Sequence, residues 1–132
     1  MLIPHLHFNG DCDTAIAFYE KAFNTKVEEI VRNHDYDPEN CAGDMQIAHA
    51  RMKICEQTVF LNDRVEFSNS DKSPNGTAHL IVQFSNTEEL LACYDLFKDG
   101  NTIIDPFVQT PYSELVGNFM DRFGILWGFM VR

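Results

Sequence analysis

A chain of 132 residues is sized for one domain, or for two short modules sharing a core, and can bury that core without disulfide staples. Twenty acids against 10 bases give a formal net charge of −10, a field that repels phosphate backbones and anionic lipid, so neither nucleic acid nor membrane is expected as a partner. Cys12, Cys41, Cys55 and Cys93 follow no C-x-x-C or pairing rhythm, no apolar run is long enough to cross a bilayer, and the opening MLIP is not a signal peptide; free thiols in a cytoplasmic protein are the expectation.

Residues 2–8 partly alternate and run into Asn9-Gly10, which predicts a strand and a turn. Asp11 or Asp13 can cap a following helix whose apolar stripe is Ala15, Ile16, Tyr19, Ala22 and Phe23, and Asn24 stops it where a left-handed residue is tolerated. Residues 27–31 predict a strand, 33–44 a polar loop around Pro38, 46–54 and 58–61 two more strands, with a turn at 55–57. Residues 63–77 are rich in Ser, Asn, Asp, Pro and Gly and read as the link between halves. A strand at 78–84 follows, then a helix capped by Asn86 or Thr87 with Glu88 and Glu89 in its first turn, an apolar stripe of Leu90, Leu91, Tyr94 and Phe97, and Gly100 beyond its end. Strands at 102–108, 117–121 and 125–131 complete the chain, with Phe123-Gly124 at the last hairpin turn.

The order of elements thus repeats. Shifting the chain by 74 positions lays His5-Leu6 on His79-Leu80, Ile16 on Leu90 and Phe23 on Phe97. A duplicated βαβββ unit accounts for this, with module 1 at about 1–63, a linker at about 64–76 and module 2 at about 77–132. Each half alone would leave one face of a four-stranded sheet uncovered.

Three stretches carry a resemblance: PHLHFNG at 4–10 running into AFYEKAF at 17–23, IAHARMKI at 47–54 running into VFLND at 59–63, and DRFGILW at 121–127. Together they resemble the glyoxalase/bleomycin-resistance/dioxygenase (vicinal oxygen chelate) superfamily, in its PhnB-like branch, often labelled demethylubiquinone-methyltransferase-like. The resemblance implies an α+β fold in which two βαβββ modules form an incomplete barrel with a central cleft, a small-molecule ligand and commonly a homodimer. The methyltransferase label has no support in the residues: a nucleotide-type methyl donor calls for a Gly-rich strand-to-helix turn, and only Asn9-Gly10 stands there.

Metal-using relatives set ligands on the first and last strand of each half. Carried onto this chain, the third position is His79, the fourth falls on Gly128, the second on Val59 or Phe60, and the first on Pro4 or, with the register of the internal repeat, His5. At best His5 and His79 remain as metal ligands, too few to hold a divalent ion firmly, so no cofactor is expected and a divalent metal is the alternative. For ligand binding the candidates are His79, His5, His49, Arg51, Phe60 and Trp127. His5 and His7 share one strand face, where two polar residues on a half-open sheet are the default for His7. His49, Arg51 and Lys53 share another; a solvated face is the default, and a cleft-lining Arg51 could clamp a carboxylate. Trp127, with Phe8, Phe60 and Phe129, belongs to the core or the pocket wall, and Cys55 and Cys93 read as small buried hydrophobes. Glu114, read as lying in a loop beside Tyr112, is the candidate general acid or base. The functional expectation is a small-molecule-binding protein with a degenerate metal site, possible chemistry being isomerase, lyase or group transfer; the alternatives are a metal-dependent glyoxalase-like enzyme using His5 and His79, and a resistance-type protein that sequesters its ligand without chemistry.

Overall fold

The computed structural model describes residues 1–64 and 78–132, and the chain divides into two compact units, Met1–Lys72 and Ser73–Arg132. The linker expected at 64–76 lies outside the described residues except for Arg64. Among the described residues, no helix is long and apolar enough to cross a membrane.

The first unit runs β1 (His5–Phe8), α1 (Cys12–Ala22), β2 (Val27–Arg32), α2 (Asn33–Tyr36), β3 (Ile47–Ile54) and β4 (Gln57–Asp63). Its sheet has the order β1-β4-β3-β2, with β1 parallel to β4 and the other pairs antiparallel. The second unit runs β5 (Leu80–Phe84), α3 (Thr87–Phe97), β6 (Thr102–Thr110), β7 (Ser113–Met120) and β8 (Leu126–Val131), in the order β5-β8-β7-β6 with the same directions. Both are open four-stranded mixed sheets carrying one long helix, so the chain is α+β and built from two βαβββ modules, as the repeat implied.

Alternation decides the faces. Leu6 and Phe8 of β1, Val59 and Leu61 of β4, and Ala50 and Met52 of β3 are buried, and with them Cys12, Ala15, Ile16 and Tyr19 of α1. That side of the sheet and the apolar stripe of α1 form the core of the first unit, each large apolar side chain contributing roughly 1.5–3 kcal/mol of burial. His5 and His7 point the other way. In the second unit the core is aromatic: Tyr94 and Phe97 of α3 meet Phe119 of β7 and Phe129 of β8 edge-to-face at ring centroids 5.0–6.5 Å apart.

Buried carboxylates fasten the joints. Asp63, at the end of β4, accepts backbone N–H bonds from Gly10 (2.9 Å), Cys12 (3.0 Å) and Ile47 (2.9 Å). It therefore supplies the helix-start bond expected from Asp11, whose side chain makes none to α1. Asp121 accepts from the backbone of Phe123 and Ile125 and from Trp127 Nε1. Asn86 caps α3 through Glu89 N–H at 2.9 Å, and Asn24 (φ 51°) and Gly124 (φ 91°) hold the expected left-handed turns.

Several boundaries differ from the sequence reading. The polar stretch 33–44 contains the short helix α2, whose entry is fixed when Asp35 accepts from Arg32 N–H and Arg32 pairs with both oxygens of Asp13. Strand β7 starts at Ser113 rather than 117, because the Ser113 hydroxyl donates to the carbonyl of Val131 at 2.7 Å and secures that end to β8. Glu114 accordingly stands on a strand and not in a loop. Cys55 is exposed and Cys93 half-buried, not core residues, since Cys55 sits on the two-residue hairpin turn between β3 and β4.

Candidate functional site

The open face of the first sheet carries the densest group of titratable side chains. Register places His5 opposite Phe60, Phe60 opposite Arg51, and Arg51 opposite Glu29, a row that crosses all four strands. His7 lies opposite Asn62 in the next row. The His5 and His7 rings are 4.3 Å apart at their centroids, and Phe60 takes His49 at 4.9 Å and His5 at 6.1 Å, both edge-on. Two imidazoles thus flank one phenyl ring, and the third lies beside His5.

Their polar partners are specific. His7 Nδ1 donates to Asn62 Oδ1 at 2.6 Å. His49 Nε2 faces Glu29 Oε1 at 3.4 Å. Arg51 is matched by two carboxylates, its Nε 3.2 Å from Glu28 Oε1 and its terminal nitrogen 3.6 Å from Glu29 Oε1. Its charge is thus matched within the sheet by surface carboxylates. His5 has no hydrogen-bond partner among the described residues. Partial burial, and then the neighbouring His7 and His49 rings, hold its imidazole below the ordinary histidine range.

His5, His49, Arg51 and Phe60 are brought together, and the structure adds His7, which sequence reasoning had left to a half-open sheet face, and Asn62 and Glu29, which it did not single out. The signal for His7 was its two-residue spacing from His5; the signal for Asn62 and Glu29 lies only in strand register. The other candidates stand in the second unit. His79 is half-buried and immediately precedes β5, in step with the exposed Ile81 and Gln83. Trp127 is a core residue, 1% exposed, packed on Phe97 and Phe129 and bonded to Asp121 at 2.8 Å. Glu114 is exposed on β7 and accepts from Thr87 Oγ1 at 3.4 Å. Cys12 is no nucleophile: burial, with Asp63 close by, pushes its thiol far up.

The donor set for a divalent metal falls short within either unit. Among the described residues no three His, Cys, Asp or Glu side chains converge on one point. The last-strand position is not merely lacking a donor. A Cβ at Gly128 would lie 2.6 Å from Asn118 Oδ1 and would collide with Ile81 Cδ1, while Asn118 Nδ2 is held by Asp105 at 2.8 Å. Ile81, Gly128, Asn118 and Asp105 are register partners across the sheet, so the ends of two neighbouring side chains reach into the space a ligand side chain would take and would have to turn aside for it.

Two mixed sheets of this repeated topology, each with its helix, define the class. The chain belongs to the Glyoxalase/Bleomycin resistance protein/Dioxygenase superfamily, whose family model matches residues 2–129. It is similar to protein YjdN of Escherichia coli strain K12, 26% identical over 137 residues, covering 96% of this chain and 91% of that one. Its fold is like that of the PhnB protein from Bacillus cereus (TM-score 0.82, 22% identity, 99% and 98% of the two chains). Protein PA1353 from Pseudomonas aeruginosa is similarly alike (TM-score 0.85, 21% identity, 100% and 97%). The fosfomycin resistance protein FosX from Listeria monocytogenes shares the fold at greater distance (TM-score 0.68, 14% identity, 100% and 92%).

Proposed function

We propose that this protein binds a small organic molecule on the open face of its first sheet, with Phe60 as the apolar floor and His5, His7 and His49 as the polar groups, without a resident divalent metal. The observation that carries the reading is the cluster of three imidazoles about one half-buried phenyl ring, two of them edge-on to it and the third beside His5, next to an arginine matched by Glu28 and Glu29. A concave or open face of apolar ring surface with a few placed polar groups is what small-molecule sites are built from. His79 takes the equivalent place at the head of the second module. Binding alone, as in a sequestering protein, needs nothing further. Chemistry would need a proton shuttle, for which these clustered imidazoles are better placed than the exposed Glu114.

The test is a thermal-shift screen of organic acids, alcohols and divalent metals on untagged protein, since whatever binds the native state raises its melting temperature. Hits should disappear in His49→Ala and Phe60→Ala, and metal analysis should find no stoichiometric ion. A stoichiometric metal that survives chelator, or hits insensitive to both substitutions, would overturn the proposal. Mass spectrometry of a recovered hit separates sequestration, which leaves it unchanged, from catalysis. We take the protein as a cytoplasmic homodimer, supported by the exposed Ile103, Ile104 and Val108 on the edge strand β6. A single monomer-mass species in sedimentation velocity would remove that part.

A further inference from the structure

The hydrogen bonds of the imidazole cluster limit what it can offer a ligand. A neutral imidazole has one N–H; His7 has already spent its own, and a carboxylate faces His49. Asn62 Oδ1 can only accept, so the 2.6 Å bond commits the Nδ1 proton of His7. The Glu29 carboxylate oxygen stands 3.4 Å from His49 Nε2, a charge contact that favours a proton on that nitrogen. In their neutral forms the second nitrogens of both rings carry lone pairs, which repel an oxyanion. After each takes one proton, the same nitrogens become cationic donors, which attract it.

We infer that His5, His7 and His49 form an oxyanion-binding face that fills only as its rings take up protons. The ligand class is an organic anion, a carboxylate or a like oxyanion, carrying a flat apolar part for Phe60. This rests on the binding reading above and adds the charge of the ligand and the pH control of its capture.

The charged groups around the cluster fit this. β1 contributes His5 and His7, β3 contributes His49, Arg51 and Lys53, and β2 contributes Glu28 and Glu29; β4 supplies only the uncharged Phe60 and Asn62 to the cluster, and α1 packs on the other side. With Arg51 matched by the two glutamates, the added positive charge must come from the rings. Part-buried, and then set beside two rings that can also become cationic, His5 resists protonation. An oxyanion set among the three rings removes that repulsion, so anion and proton favour one another by linkage.

Benzoate is a suitable probe, since it stays ionised over the working range and has a flat ring; benzamide is its uncharged counterpart. Calorimetric titration at pH 5.5 and pH 8, in two buffers of different ionisation enthalpy, reads affinity and proton uptake together. Benzoate should bind roughly tenfold or more tightly at pH 5.5 with net proton uptake, because one linked proton changes affinity up to tenfold per pH unit. Benzamide should show no pH dependence. In Asn62→Ala, the His7 Nδ1 proton is released from its bond to Asn62, so a neutral ring can turn an N–H to the ligand and the pH dependence of benzoate binding should flatten. A merely structural asparagine would not produce that change. Benzoate affinity equal at the two pH values, absence of proton uptake, or an unaltered profile in Asn62→Ala would overturn the inference. Imidazole C–H resonances locate the binding. If benzamide moves His5 and His49 as benzoate does, the face binds ligands and only the anion coupling fails; if neither moves them, the binding site itself falls.

Discussion

His5 shows how one ring couples the fold to pH. Burial and two neighbouring imidazoles depress its protonation in the native chain, whereas in the unfolded chain it titrates at the ordinary value of about 6.5. Above that value both states are neutral and His5 has no effect on stability. As pH falls through it, the unfolded state takes the proton first and the native state loses ground, down to the depressed native value. The urea midpoint should therefore decline between pH 7 and pH 5 less steeply in His5→Gln than in the native protein. An equal decline in both would show that the ring is not held down by its neighbours.

The hairpin between β3 and β4 shows a local choice at odds with the element it serves. Cys55 (φ 50°) and Glu56 (φ 67°) are both left-handed, the backbone of a type I′ turn, which twists with its strands and favours Asn-Gly. A left-handed non-glycine residue costs about 1–2 kcal/mol. Glu56→Gly should return part of this, raising unfolding free energy by about 0.5–1 kcal/mol in urea titration, with the usual entropic cost of Gly partly offsetting the gain. The sequence announced a turn at 55–57 but not its handedness, which is imposed by the register of the flanking strands. Register likewise separates what was legible from what was not. Alternation in β1 exposes His5 and His7 on one face. In β3 a bulge at Ala48, where Val31 pairs with His49 and Arg32 with Ile47, reverses the parity, so that Ile47 and Ala50 are both buried. Nothing in the spacing of Glu29, His49, Phe60 and Asn62 says that they meet. At Gly128 the resemblance located the missing ligand, and only the packing shows that the side-chain ends of Ile81 and Asn118 now reach into its place. Gly128→Glu should destabilise the protein by no more than about 1 kcal/mol, since the exposed Ile81 can turn aside, and, with no three donors converging among the described residues, should leave Zn²⁺ and Mn²⁺ binding by calorimetry unchanged. New stoichiometric metal binding in that variant would mean the β5-β8-β7 row yields more readily than its contacts imply.

Across the whole molecule, charge is the property least tied to the fold. Ten acids in excess raise the free energy of the compact state through self-repulsion, and added salt screens it. Salt also weakens ion pairs, so the sign of the net effect depends on which term is larger. Among the described residues the Lys and Arg pairs are Arg32 with Asp13, Arg51 with Glu28 and Glu29, and Lys98 with Asp95. These are surface pairs, worth about 0–1 kcal/mol each, and the exposed Lys98–Asp95 pair lies at the weak end. Three matched cations cannot outweigh an unbalanced charge of −10. The melting temperature should therefore rise by a few degrees as potassium chloride goes from 10 mM to 300 mM at pH 7.5. It should rise less at pH 5, closer to the sequence pI of about 4.7, where little net charge remains to be screened. A fall in melting temperature with salt at pH 7.5 would place the Arg32 and Arg51 pairs, rather than the excess of acids, in control of the electrostatics of this fold.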